Sequence, residues 1–381
     1  LNLDLNEEQK MLERMVREFA ESEVKPLARE IDETGHFPRE TFRKAAEMGL
    51  TAVALPESEG GAGFDHISYS IVIEEISRVC ASTGTILSVQ NSLYCDPIHR
   101  FGTQEQKKQF LAPFARGEKI GCYALTEPGA GSNAAALATK AIRKGDRYVI
   151  NGTKAWITNG GVADAALVYV NTDPAKGEKG ITAIVVERGT PGFNVGKEEK
   201  KLGIHATACT ELSFTDCEVP AGNRIGNEGE GYKVALSTLD GGRIGIAAQA
   251  TGIARGAFEQ ALAYAHERQA FGHPIADFQA IQFMLADMAT EIDAARLLVR
   301  KAAWKQDSGA RFSMEASIAK LFASEMATRV THKAMQIHGG NGYSREYPVE
   351  RMYRDARVTE IYEGTSEIQR LVIAAGVLKS Y

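Results

Sequence analysis

The sequence predicts a mainly α fold with a central β domain: an N-terminal helical domain, an antiparallel β-barrel or sandwich domain and a C-terminal four-helix bundle. Three observations lead there. The first third carries a helical apolar period, the middle carries short β-rich runs between turn signals, and long apolar seams of helical spacing return near residue 231. The expected divisions are 1–120, 121–230 and 231–381 in a chain of 381 residues, long enough to bury a sizeable core in two or three domains.

From Asn6 to Ala115, Leu12, Met15, Val16 and Phe19 fall at i, i+3, i+4 and i+7, and a similar stripe recurs beyond Phe42. Around Gly121 the texture changes. The runs 148–150, 166–170, 181–186 and 212–214 are rich in Val, Ile, Tyr and Phe and are separated by Asn-Gly, Asp-Pro and Pro-Gly turns. No long helix separates them, which argues for a compact antiparallel barrel or sandwich rather than βαβ units. In the last third, Phe278, Ile281, Leu285, Met288, Ile292, Ala295 and Val299 alternate steps of three and four, the seam of a helix packed in a bundle.

Composition excludes several function classes. A formal charge of −5 gives no long-range attraction for nucleic acid or anionic lipid, so an anionic ligand must be met by local Arg, Lys or helix N-termini. The five cysteines are scattered, with no CxxC and no Cys/His spacing suited to zinc, which favours a reducing compartment and no metal. The cytoplasm of a bacterium, or the mitochondrial matrix for a processed eukaryotic chain, would fit. No run of 18 apolar residues exists, and no membrane span is expected: the Ala-rich stretch 241–265 is interrupted by Arg243, Gln249, Arg255 and Glu259. Residues 1–10 are polar and acidic, with no visible targeting segment.

Gly129-Ala130-Gly131-Ser132-Asn133-Ala134 fits the loose dinucleotide fingerprint GxGxxG/A, but its context is wrong. Pro128 interrupts the turn, and the chain runs into a β-hairpin signal at 148–152 instead of completing a crossover. Two readings of this loop stay open. It is a plain Pro-Gly turn, or its backbone N–H groups, with the Thr126 and Ser132 hydroxyls, form donors suited to a flavin ring and a phosphate. Trp156, where a strand reaches a turn, is by itself more often a core residue than a cofactor platform, and only the motifs around it shift that balance.

The last fifth is the most informative. Gly339 and Gly340 end a helix and allow close backbone approach. Glu363 directly precedes a helix start, because Gly364 breaks the pattern and Thr365 or Ser366 can cap. An exposed acid there gains about 0.3–1 kcal/mol from the helix dipole. A buried one is instead a candidate base, its proton affinity raised by desolvation. His332 and His338 do not share a face at ligand spacing, and Ser132 lacks a hydrolase triad order.

Taken together, Tyr123-Ala124-Leu125-Thr126-Glu127-Pro128-Gly129-Ala130-Gly131-Ser132, Trp156-Ile157-Thr158-Asn159, Asp240-Gly241-Gly242-Arg243, Arg268-Gln269-Ala270-Phe271-Gly272, Gln336-Ile337-His338-Gly339-Gly340 and Ile361-Tyr362-Glu363-Gly364-Thr365 resemble the acyl-CoA dehydrogenase family. They occur in the family's order across nearly the whole chain, with the nearest likeness to the short-chain, butyryl-CoA type.

The resemblance implies FAD-dependent α,β-dehydrogenation of a short, branched or alicyclic acyl-CoA to the trans-2-enoyl-CoA. Glu363 would take the α-proton and flavin N5 the β-hydride, with electrons passed to an electron-transfer flavoprotein. The Glu363 N–H and a ribityl hydroxyl of FAD would polarise the thioester carbonyl. Tyr123, Leu125, Thr126, Gly131, Ser132, Trp156, Ile157 and Thr158 would surround the flavin ring and its near phosphate. Arg268, Phe271, Gln279, Gln336, Gly339 and Gly340 would hold the diphosphate and adenosine from a neighbouring subunit, and Thr365 and Glu367 would close over the cofactor. Ser132, Asp240, Gly241, Gly242, Arg243 and Gly364 fall on the substrate side, with Asp240 and Arg243 holding the CoA moiety. The implied assembly is a homotetramer built as a dimer of dimers. An oxidase using oxygen is a rival, disfavoured by the absence of the additional C-terminal domain common in oxidases. A non-enzymatic protein on the same fold is another, disfavoured by Glu363.

Three departures put the acyl group in doubt. Asn133 stands where the family usually has Asp, retaining turn chemistry without charge. His205 replaces the more frequent Arg. Asp96 lies in a segment resembling the acyl-pocket wall, where an ionised carboxylate would disfavour acidic acyl chains such as glutaryl.

Overall fold

The computed structural model describes residues 4–379. Asn6 and Gln9 form a reciprocal capping box that starts α1 (Glu7–Phe19), which buries Leu12, Val16 and Phe19. Met15, on the same stripe by spacing, stays exposed at the edge of a narrower buried arc. The helical region continues through α2 (Ala28–Thr34), α3 (Arg39–Glu47), α4 (His66–Val79), α5 (Ala81–Ser88), α6 (Asp96–Phe101) and the short α7 (Gln104–Gln106) and α8 (Ala112–Ala115). Three π-helical stretches interrupt it, at 20–24, 89–95 and 107–111. Such widened turns redirect side chains and often occur at functional sites.

The β region comprises β1 (Gly121–Ala124), β2 (Lys140–Lys144), β3 (Arg147–Ile157), β4 (Ala165–Asn171), β5 (Ile181–Glu187), β6 (Phe193–Glu198), β7 (Thr210–Pro220) and β8 (Arg224–Ile225). Their order is β6-β7-β3-β2-β4-β5-β8, with β1 beside β4. The sheet is predominantly antiparallel, as its short hairpins require, but β1–β4 and β2–β4 pair in parallel. Every residue of β4 from Ala165 to Val170 is buried, the burial on both faces that its continuous apolar run demands.

The last region holds α9 (Gly231–Glu267), a small hairpin of β9 (Gln269–Ala270) and β10 (His273–Pro274), then α10 (Gln279–Asp307), α11 (Ser313–His338), α12 (Val349–Arg357) and α13 (Ser366–Lys379). Met288, Ile292, Ala295 and Val299 of the α10 seam are buried, and Phe278, Ile281 and Leu285 pack partly buried against the same core. Helix α9 is buried all round from Gly241 to Ala257 because α4 and α11 cover it on different sides. Buried Glu74 and Glu75 of α4 pair with Arg255 of α9, Arg17 of α1 and Arg296 of α10, tying four helices together, and Arg78 of α4 also pairs with Glu75. No helix among the described residues is long and apolar enough to cross a membrane.

Candidate active site

Glu363 lies between the 3-10 turn Val358–Glu360 and α13, with its backbone in the left-handed region at φ 53°. Gly364 follows at φ 96°. A non-glycine residue held there costs about 1–3 kcal/mol, and persists only where its surroundings over-determine it. Four contacts do so. Lys320 Nζ and Gln369 Nε2 both donate to the Gly364 carbonyl, at 2.7 and 2.9 Å. Gln369 Nε2 also reaches the Glu363 carbonyl at 3.3 Å, and the Tyr362 hydroxyl donates to Gln249 Oε1. Only glycine suits position 364, since a Cβ there would lie 2.7 Å from Gln369 Nε2. Thr365 Oγ1 accepts from Ile368 N at 3.4 Å and caps α13, as its position before the helix predicts.

This turn drives the Glu363 side chain into the protein. Its Oε2 is buried with no hydrogen-bond partner. The oxygen rests against Gly242 of α9, 2.0 Å from where a Cβ would stand, and Leu93 Cδ2 is 2.9 Å from the same point. Leu93 belongs to the π-helical stretch 89–95, so the widened turn and the glycine together make the space. Burial raises the proton affinity of Glu363 to about 7, opposed by the charges of Lys320 and Arg243. Desolvation therefore outweighs the two cations.

Arg243, one helical step beyond Gly242, is 5% exposed. Its Nη1 donates to Asp240 Oδ1 at 2.7 Å and lies 3.4 Å from Ser317 Oγ, while Nε is buried without a partner. Burial lowers its pKa, and its charge acts on Glu363. Asp240 is half-buried, held by Arg243 and by the Ser313 hydroxyl. Beneath Gly241 a small cavity is lined by Tyr69, Asn91, Ser92, Asp96 and Gln306, among others. Asp96 pairs with Arg100 Nε at 2.9 Å, and burial raises its pKa. The acid that departs from the resemblance is thus a partnered wall residue of a small cavity. His205 has another place: its ring nitrogens meet the carbonyls of Asp32 and Lys201 at 2.7 and 2.8 Å.

A second set gathers around the glycine-rich loop. Tyr123 is on β1, Leu125 is buried, Thr126 is half-buried, and Gly131, Ser132 and Asn133 are exposed. No atom lies within 4 Å of where a side chain at Gly129 or Gly131 would begin, so the backbone there faces open space. Beside it, a register irregularity in β3 between Lys154 and Ile157 leaves Trp156 at φ 60° and 57% exposed. Such a bulge re-aims a side chain that alternation would have packed. Ile157 is buried behind it and Thr158 half-buried. Ala155 N donates to Thr126 O at 2.9 Å, joining strand to loop. Underneath, Lys154 Nζ donates to Glu127 Oε1 at 2.7 Å and to Leu125 O at 3.1 Å, while Glu127 accepts from Ala138 N and Thr139 N. This fully buried pair fastens the loop, and burial pulls Lys154 down to about 8.

The third set sits at the far ends of α9 and α11. Tyr264 stacks on His338 at 4.3 Å, and Asn341 Nδ2 donates to the Tyr264 hydroxyl at 2.9 Å. These contacts bring Arg268 and Phe271 toward Gln336, Gly339 and Gly340, all exposed. Phe271 meets Phe278, the residue before Gln279, edge-on. Phe271 and Tyr343 are 94% and 87% exposed. Glu367 is exposed on the first turn of α13.

Three profiles of one family match in succession: the acyl-CoA dehydrogenase N-terminal domain over residues 6–118, the middle domain over 122–217 and the C-terminal domain over 229–378. The chain belongs to the acyl-CoA dehydrogenase family. It is 52% identical over 379 residues to the short-chain specific acyl-CoA dehydrogenase of Clostridium acetobutylicum, covering 100% of both chains. The butyryl-CoA dehydrogenase structure from Megasphaera elsdenii superposes with a TM-score of 0.98 at 45% identity, covering 99% of this chain and 100% of that one. A chain in the structure of an electron transferring flavoprotein of Acidaminococcus fermentans matches at TM-score 0.98 and 48% identity, with 100% of both chains covered.

Acyl-CoA dehydrogenases are FAD-dependent flavoproteins, and this enzyme is one of them. The residues fit the cofactor: an exposed tryptophan face stands beside a loop whose glycines leave open space, a shelf for a flat ring system with hydroxyl donors at Thr126 and Ser132. Several site residues escaped the sequence. Lys320 carried a signal, a lysine on the stripe of Ala316, Ala323 and Ala327, all buried. Gln369, Glu127 and Lys154 act on carbonyls and amides that only the fold brings near, and Leu93 depends on a π turn without a sequence signature.

Proposed function

We propose that this enzyme oxidises a short-chain acyl-CoA to the 2-enoyl-CoA, with Glu363 as the base that removes the α-proton. The observation that carries the reading is the Glu363 carboxylate, its Oε2 buried without a hydrogen-bond partner and set against the Gly242 gap. A base needs an open lone pair and a proton affinity near the working pH, and burial provides both. FAD, held by the Trp156 shelf and the 125–132 loop, supplies the two-electron acceptor for the β-hydrogen. The Glu363 backbone N–H supplies a donor to the thioester carbonyl as negative charge develops. Asp240 and Arg243 hold the CoA side, and Arg243 also stabilises the ionised base.

The short-chain assignment draws support from the Clostridium and Megasphaera relatives and from the cavity below Gly241, which is small. Asp96 in its wall disfavours a second carboxylate on the acyl chain. Electrons pass to an electron-transfer flavoprotein, a reading supported by the Acidaminococcus match. The exposed Phe271, Tyr343 and Gly339–Gly340 surface suits a homotetramer in which a neighbouring subunit's FAD reaches Arg268, Gln279 and Gln336.

The experiment is anaerobic bleaching of the flavin band by butyryl-, isobutyryl-, 2-methylbutyryl-, cyclohexanecarboxyl- and glutaryl-CoA. Butyryl-CoA should reduce the enzyme fastest and glutaryl-CoA slowest. A colourless protein that cannot be reconstituted with FAD, or a preference for glutaryl-CoA, would overturn the reading. Reoxidation should be faster with electron-transfer flavoprotein than with oxygen; the reverse would make it an oxidase.

A further inference from the structure

Lys320 is a buried lysine without a carboxylate of its own. Its side chain is 0% exposed, and among the described residues no carboxylate lies within salt-bridge distance of it. A charge taken out of water without a partner costs several kcal/mol, so its surroundings should answer for it. What they offer is the Gly364 carbonyl at 2.7 Å, which already accepts from the neutral Gln369 amide. A second neutral donor would satisfy that oxygen at a lower desolvation cost. The lysine meets the carbonyl of the residue directly after Glu363, whose carboxylate has no hydrogen-bond partner on Oε2.

We infer that Lys320 is a positioning residue for the base: its ammonium clamps the Gly364 carbonyl, holds Glu363 in its left-handed turn, and favours the carboxylate form through its charge. The inference rests on the assignment of Glu363 as the base. The other charged groups leave Lys320 in that role. Arg243 of α9 is the second cation acting on Glu363, but it is paired with Asp240. Glu325 of α11 and Glu360 before the turn face Lys320, and they are paired with Arg370 and Arg357. Tyr362, Tyr69 and Tyr123 face Glu363 from its own segment, α4 and β1, and burial pushes all three phenols above their ordinary range, so they stay neutral. Burial, with the charge of Arg243, lowers the pKa of Lys320 to about 7, and the fields of Glu363, Glu360 and Glu325 oppose that fall only in part.

The test compares Lys320→Met, which removes donor and charge, with Lys320→Gln, which keeps an N–H donor and removes the charge. Flavin reduction by butyryl-CoA is followed by anaerobic rapid mixing across pH, and ionisation of the Glu363 carboxyl by infrared titration, its band assigned by loss in Glu363→Gln. Both variants should raise the pH at which Glu363 ionises, and the acid limb of reduction with it, by about one unit or more. Lys320→Met should also lose about tenfold in limiting rate through the freed carbonyl, and Lys320→Gln should recover part of that loss. An unmoved carboxyl titration in Lys320→Gln would overturn the inference, whether or not Lys320→Met folds and holds FAD. If Glu363→Gln itself reduced normally, the assignment of the base would fail instead, and the two failures are distinct.

Discussion

The carboxylate of Glu363 occupies the place where a side chain on Gly242 would begin, its Oε2 2.0 Å from that point. Two residues 121 positions apart thus define one gap. Gly242→Ala should displace the base, because the new methyl is also hemmed in by Leu93 at 2.9 Å. A misplacement of about 1 Å costs reacting groups about 10²-fold. The variant should bind FAD normally and show a reduction rate lower by about that factor, read by anaerobic rapid mixing.

The proton affinity of Glu363 also sets a stability signature. Its folded-state pKa is about 7 against an ordinary 4.5, so between those values the native state binds the extra proton and stability falls as pH rises. Glu363→Gln has no such proton to lose. Denaturant unfolding should show the variant more stable than the parent by about 1–3 kcal/mol at pH 8, with the difference shrinking to nothing near pH 4.5. A constant difference across pH would mean that Glu363 is not desolvated.

The buried Lys154–Glu127 pair under the flavin loop makes a third test. Lys154→Met leaves Glu127 buried with only the Ala138 and Thr139 amides, a loss of about 3–5 kcal/mol. The protein should purify with less FAD and unfold at lower denaturant. Adding Glu127→Gln should restore part of the stability, because no unpaired charge remains.

The order of helical, β and helical regions was legible because period and turn chemistry are local. The α10 seam predicted from Phe278 to Val299 is the packed face, and the runs 166–170 and 181–186 are strands buried on both faces. Parallel pairing of β1 with β4 was not legible, since it depends on contacts 44 residues apart such as Gly121 with Ala165. Glu363 was legible as a residue preceding a helix, but its burial was not: that arises from a glycine on α9, a leucine on a π turn and a lysine on α11. Trp156 was open between core and platform because the outcome turns on a bulge in β3, which alternation does not foresee.

Asp96 offers a fourth test, of the acyl group. Asp96→Asn removes a buried charge from the cavity wall while keeping its shape, so the ratio of glutaryl- to butyryl-CoA reduction rates should rise, by about tenfold if the carboxylate lies near the acyl end. An unchanged ratio would place the acyl chain elsewhere.

The base assignment is tested most directly by Glu363→Gln mixed anaerobically with butyryl-CoA. An amide cannot accept the α-proton, so the variant should bind the ligand and perturb the flavin spectrum, yet reduce about 10²–10⁴-fold more slowly than the parent. Reduction at the parent rate would contradict Glu363 as the base.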